Sequence, residues 1–313
     1  MDVFFITLQQ IFVLFSIIAI GFFAIRRKKL DSSAIGVLTY VYSNIMLPCA
    51  IMKAMIFDFT LSILKECMYL IGISVIVIAF ELLTSFLFNK ITRQPKLDQN
   101  LYKYCILFSN FGIMGMPIIE TVFGSEGLFY MSVFILILRI MTNSYGFMLL
   151  QKDTPYSTGI NIGMFKNKFI IAMTIGILVS VLNISVPSPI QSLIDTLSKA
   201  NAPIGMMIVG MNIAEYPVIE MFKNKLAWII VFLRLLVIPV FGLIVLWYFN
   251  ININAVLAAV TTLGLPCPAY ASILTKKYGG NYIRGSQIVV TSTLFSAFTI
   301  PFLVWLCNFV YGL

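Results

Sequence analysis

Apolar residues in this chain fall into ten long runs, at approximately 4–25, 34–57, 66–88, 103–122, 127–150, 168–186, 190–213, 226–249, 253–275 and 285–311. Each is close to the roughly 20 residues that a helix needs to cross the hydrocarbon core of a bilayer. No long soluble domain or low-complexity tract separates the runs. The longest connections lie near 89–102 and 151–167. The pattern predicts an all-α polytopic membrane protein with ten transmembrane helices.

Two runs are interrupted. Asn110, Gly112, Gly115 and Pro117 stand inside the fourth, and Gly264, Pro266 and Pro268 inside the ninth. A broken helix frees backbone N–H and C=O groups, and the hydrocarbon core holds no water to satisfy them. A break therefore persists only where it is buried in protein or lines a cavity. Paired discontinuous helices in corresponding halves of a chain point to a transporter's binding site. The freed amides and half-helix N-termini there could face an anion. A proline kink with small residues for close helix packing gives the same local signature, and that alternative stays open.

The halves correspond by one offset. Pro48 and Pro203 stand 155 residues apart, as do Gly124 and Gly279, each of these glycines following an aromatic residue (Phe123, Tyr278). Five spans per half is an odd number, so the second copy enters the membrane from the opposite side. The expectation is two inverted five-helix repeats, 1–155 and 156–313, with helices 4 and 9 broken.

Charge supplies orientation. Sixteen of the 21 Lys and Arg residues fall in alternate connections, after runs one, three, five, seven and nine. The positive-inside rule places these loops in the cytoplasm and both termini outside. The balance of +9 is thereby explained by topology; the basic residues form short clusters and no continuous face for nucleic acid. Mean hydropathy is +0.99 with 60% apolar residues, more than a soluble domain of 313 residues can bury. The N-terminal stretch lacks the positive region and cleavage site of a removed signal and reads as the first span. The five Cys match no zinc or redox spacing and read as small buried hydrophobes. No His, G-x-S-x-G, HExxH or Walker loop is present, so enzyme chemistry finds no support and no metal site is expected.

Four basic residues, Lys53, Arg139, Lys199 and Arg234, fall inside runs. An intramembrane cation is costly and normally faces a cavity, a partner or the bundle interior. Arg139 has no local acid and is the candidate to attract a carboxylate by a charge-assisted contact. Lys199 can pair with Asp195 at i, i+4, and Arg234 can snorkel or cap carbonyls near the cytoplasmic end. Glu81 is the candidate for proton coupling, with a solvated position as its alternative. Glu120 and Glu126 bracket the outer turn FGSEG and read as surface residues.

Six stretches in order carry a family resemblance: SNIMLPCAIM (43–52), SNFGIMGMPII (109–119), FGSEGLFY (123–130), RLLVIPV (234–240), YGGNYIRGS (278–286) and TSTLFSAFTIP (291–301). With them the chain resembles a prokaryotic member of the auxin efflux carrier family, which includes plant auxin exporters and bacterial malate and malonate permeases. The resemblance implies a bile-acid-transporter superfamily fold in which helices 4 and 9 cross at the substrate site. It also implies a scaffold of helices 1, 2, 6 and 7, a moving unit of helices 3–5 and 8–10, and a homodimer in the bacterial inner membrane. Carried over by motif, the crossover falls on Asn110, Gly112, Gly115, Pro117, Gly264, Pro266 and Pro268, with Arg139 as a further substrate-binding candidate. Lys199, Asp195, Glu81 and Arg234 are candidates for coupling or gating. The implied activity is secondary active transport of a small organic anion by an elevator-like cycle. No cofactor is implied, and H+ and Na+ remain open as coupling ions. An anion channel or facilitator and a non-transporting receptor are the rival readings.

Overall fold

The computed structural model describes residues 2–56, 61–151, 168–182, 184–216 and 221–312. The basic residues Lys152 and Lys166, used above for orientation, lie outside the described residues, as does most of the 151–167 connection. Among the described residues all regular structure is helical.

The first helix, Asp2–Arg26, shows how these segments are built. Ile11, Leu14 and Ile18 recur at helical spacing on a buried face, while Phe12 on the opposite side is 71% exposed. A soluble protein would not present Phe12, Met68 (74%) and Phe298 (74%) to water, and their number fits a lipid-facing surface. The buried face lies against the helix Asn201–Ala214. Two glycines set that distance: a Cβ on Gly21 would stand 2.2 Å from the Met207 carbonyl oxygen, and one on Gly210 1.8 Å from that of Ile18. Where lipid supplies no hydrophobic drive between helices, such small residues let the backbones close in van der Waals contact.

Proline shapes the next elements. The second segment runs Ser33–Val41, then a widened π turn at Tyr42–Met46, then Leu47–Met55. Pro48 stands two residues past the widened turn, as Pro117 does past another at Phe111–Gly115 and Pro239 past a third at Leu233–Val237. The proline ring has no N–H and collides with the carbonyl four residues back, and a wider turn relieves both problems. A fourth widened turn, Thr142–Gly146, has no proline after it. Pro203 instead sits in the first turn of Asn201–Ala214, just past an interruption at Ala200 that separates it from Ser188–Lys199.

Six described stretches are long and apolar enough to cross a bilayer: Thr7–Arg26, Ser33–Met55, Ile63–Thr92, Lys96–Phe134, Lys225–Tyr248 and Tyr282–Tyr311. The runs expected at 127–150, 190–213 and 253–275 are divided into shorter helices, because Ile135, Ala200 and the second break interrupt them. Among the described residues six stretches, against ten apolar runs, are thus long and apolar enough to cross, and the fourth of them contains the first break. Gly124 (φ +67°) and Gly279 (φ +78°) both take left-handed conformations at the 155-residue offset. A side chain at either would be strained, which is why glycine recurs there.

Two charges are fully interior. Arg234 Nη1 lies 2.6 Å from Glu81 Oε1 and donates to the Ile106 carbonyl at 3.1 Å. Both residues are 1% exposed or less. This corrects two sequence expectations: Glu81 is not solvated near a membrane face, and Arg234 does not snorkel, although it does cap a carbonyl. The Asp195–Lys199 pairing is also replaced, since Asp195 accepts Lys53 at 2.9 Å from a different segment. Lys199, exposed, ends its helix.

Candidate functional site

The two breaks meet. The helix Lys96–Leu107 ends where Phe108 turns extended (φ −118°, ψ 144°), and the chain resumes at Phe111 after Asn110 (φ −80°, ψ 53°). The second break separates Ile253–Leu263 from Tyr270–Lys277. Asn110 N–H donates to the Pro266 carbonyl at 2.8 Å, which joins one break to the other directly. Around this bond other freed groups find partners. Cys267 N–H donates to Ser292 Oγ at 3.1 Å, the Cys267 thiol reaches the Cys105 carbonyl at 3.3 Å, and Ser109 Oγ reaches that of Thr262 at 3.5 Å. Backbone groups without partners are costly in a buried site, so each break satisfies part of the other. The amides of Asn110 and Cys267, expected above to be available to an anion, are engaged within the protein.

Packing at the crossing explains several of the breakers. A Cβ on Gly115 would lie 2.3 Å from Leu265 Cδ1, and one on Gly264 would lie 2.3 Å from Leu303 Cδ1. Pro117 and the Ile113 carbonyl close against Gly205 of the Asn201–Ala214 helix. Gly115, Pro117, Gly264 and Pro266 therefore build the crossing, and none of them lines the cavity beside it.

That cavity, about 450 Å³, is lined by Ser109 to Ile113 from the first break, Pro268 within the second and Tyr270 just after it. Tyr42, Ser43, Asn44, Leu47 and Pro48 form another wall, and Tyr104, Arg139, Thr142, Asn143, Phe147, Lys168 and Phe169 complete it. Two of these residues are cations and none is an acid. Of the residues marked in the sequence, Asn110, Gly112, Arg139 and Pro268 come together here. Glu81, Arg234, Asp195 and Lys199 lie elsewhere.

Arg139 is held by rings. Its guanidinium carbon is 4.2 Å from the Phe169 ring centroid and 5.4 Å from that of Phe111. Nη1 is buried and makes no hydrogen bond. Gly112 faces it: a Cβ there would stand 3.9 Å from Nη1, and the Gly112 carbonyl is fixed by the Tyr42 hydroxyl at 2.8 Å. Asn143 Nδ2 donates to the Arg139 carbonyl at 3.0 Å, one turn on. Asn110 also borders a void of about 10 Å³ shared with Asn212, Tyr216, Ser272 and Thr293.

Sequence reasoning passed over Tyr42, Asn143, Lys168, Phe169 and Tyr270. For Asn143 a signal existed, the polar cluster TNSYG within an apolar run. Glu120 is a further correction: it accepts Ser198 Oγ at 2.6 Å and Asn201 Nδ2 at 2.9 Å and is half-buried, not a free surface residue. Glu126 is half-buried as well, and accepts from Asn254 Nδ2 at 3.1 Å. All five cysteines are free, and no group of three metal-ligating side chains occurs among the described residues.

A helical body with several stretches long and apolar enough to cross a bilayer, and a cavity beside two touching helix breaks, is the architecture of a polytopic membrane protein. The chain belongs to the membrane transport protein family that comprises the auxin efflux carriers: the family model matches residues 6–158 and 157–304. No curated relative matches the chain.

Proposed function

We propose that this membrane transport protein carries a small carboxylate by alternating access, binding it in the cavity beside the crossing. The observation that carries the reading is Arg139, a cation with a buried, unbonded Nη1 in a cavity without acids. A carboxylate completes that donor and takes a second contact from Asn110, Asn143 or a cavity hydroxyl. Phe111, Phe169 and Tyr270 offer apolar walls to the rest of the molecule. No covalent step is involved.

The architecture of this proposal is ten spans in two inverted repeats, 1–155 and 156–313, with both termini outside the cytoplasmic membrane. Helices 1, 2, 6 and 7 form a scaffold, dimeric in the membrane, and helices 3–5 with 8–10 move against it. Packing of Asp2–Arg26 on Asn201–Ala214, and of Leu47–Met55 on Lys168–Val181, supports that scaffold. Coupling to H+, coupling to Na+ and uncoupled exchange all stay open in this reading.

The test is counterflow in proteoliposomes. Preloaded unlabelled carboxylate accelerates uptake of labelled carboxylate by a carrier, and Arg139→Gln removes the flux. Flux without trans-stimulation identifies a channel. A thermal-shift screen in which sugars or cations stabilise the protein and carboxylates do not would end the anion assignment.

A further inference from the structure

A second cavity, about 580 Å³, lies away from the crossing, between the end of Leu61–Thr92, the helix Lys96–Leu107 and the stretch around Tyr145–Leu149. Its charged lining residues are Lys90, Arg93 and Lys103, and no acid lines it. Nearby Asp98 is engaged by Arg284. Lys103 Nζ lies 5.3 Å from the Tyr145 ring centroid. Asn89 adds an acceptor: its Nδ2 donates to the Gln99 carbonyl at 3.0 Å, which fixes the amide, and its Oδ1 is buried with no hydrogen-bond partner.

The apolar surroundings set the kind of ligand. Phe86 (60% exposed) and Met148 (40%) line the same cavity, and Leu87 and Ile91 are exposed on the adjoining helix. The helix Leu61–Thr92 has 32 residues, about 48 Å at 1.5 Å per residue, so its basic end lies beyond a hydrocarbon core of roughly 30 Å. Cations at headgroup depth above an exposed apolar wall match an amphiphile with a negative head. A soluble anion would use only half of this surface.

We propose that the cleft binds an anionic phospholipid of the phosphatidylglycerol type. Its phosphate sits among Lys90, Arg93 and Lys103, a headgroup hydroxyl donates to Asn89 Oδ1, and its acyl chains lie along Phe86 and Met148. The site is coupled by position to the transport cavity. Lys103 and Tyr145 line the lipid cleft, whereas the adjacent Tyr104, Asn143 and Phe147 line the other cavity. An occupied cleft therefore braces the wall that carries the substrate site.

The experiment measures thermal unfolding and native mass spectrometry of the full chain in neutral detergent, with added phosphatidylglycerol, phosphatidylcholine or soluble glycerol phosphate. Phosphatidylglycerol alone is expected to raise the melting temperature and to remain bound as discrete adducts. Lys90→Gln with Arg93→Gln weakens its binding about 30-fold, from two basic contacts near a membrane surface, whereas Lys28→Gln with Lys29→Gln leaves it unchanged. Lys90→Arg with Arg93→Lys keeps both charges and restores binding, which separates lost charge from lost folding. Equal stabilisation by glycerol phosphate overturns the lipid assignment in favour of a soluble-anion site. Equal loss in the two Gln pairs overturns the site itself, leaving general surface attraction.

Discussion

Replacing Arg139 by Met separates a residue reserved for ligand from one that holds the fold together. An arginine at mid-helix costs roughly 2.5–3.5 kcal/mol on insertion scales. The Phe169 and Phe111 faces, 4.2 and 5.4 Å from its guanidinium carbon, return roughly 0.5–1 kcal/mol each. No carboxylate lines the cavity to offset the remainder. The ligand-free protein therefore carries about 0.5–2.5 kcal/mol of unrelieved cost at this position. Methionine keeps contact with both rings through its thioether and removes the charge. Arg139→Met should raise ligand-free stability by about 0.5–2.5 kcal/mol while deleting a charge-assisted contact worth roughly 1.5–3 kcal/mol to a bound carboxylate, an affinity loss of about 10- to 150-fold. Thermal unfolding in detergent across a carboxylate titration reads both effects at once. A variant several kcal/mol less stable without ligand, or one whose carboxylate response persists, refutes the reasoning.

The buried pair gives the opposite result: Arg234→Met strands Glu81 in the interior and should cost about 3–5 kcal/mol, while Arg234→Met with Glu81→Leu recovers most of it, as unfolding of the single and double variants will show. Asn110→Ala leaves the backbone bond to Pro266 intact, so the protein folds but its carboxylate-induced melting shift disappears; unchanged affinity removes Asn110 from the site. Gly210→Leu forces apart two helices whose backbones meet at Ile18, lowering stability by about 1–3 kcal/mol or more. Cysteines at Glu120 and Ser198, in a background with Cys49 and Cys67 replaced by Ala, allow a short bifunctional reagent to bridge the two helices. The bridge should stop uptake and spare carboxylate binding, and uptake that continues argues against relative sliding there.

The breaks were legible because proline and glycine act through the backbone, and backbone requirements are local. Gly124 and Gly279 announced themselves in the same way, through a φ that other residues resist. Side-chain partners were a different matter. Arg234 and Glu81 are 153 residues apart, and nothing local tells a cation that caps carbonyls from one that also meets a buried acid. Asp195 had a plausible neighbour in Lys199, yet tertiary packing brought Lys53 closer. Cavity residues such as Phe169 and Tyr270 read as ordinary aromatic residues of an apolar chain, and only the crossing gives them a common volume to face.

The three ion pairs among the described residues bear on which parts of the molecule can move. Glu81–Arg234, Asp98–Arg284 and Lys53–Asp195 each join the first half of the chain to the second. Motion of one sequence half against the other would break all three, including a pair whose disruption alone costs about 3–5 kcal/mol. On the proposed division by helices, none of them is broken: the first two lie within the moving unit and the third within the scaffold. What crosses that division is weaker. Tyr42 donates to the Gly112 carbonyl, Ser198 and Asn201 donate to Glu120, and the Tyr216 and Ser272 hydroxyls meet at 3.0 Å. Bonds of this kind exchange with water or with new partners for roughly 0.5–1.5 kcal/mol between neutral groups, and somewhat more at the carboxylate. Strong contacts inside each unit and exchangeable ones between them favour sliding of a spatial bundle over hinging of the two sequence repeats.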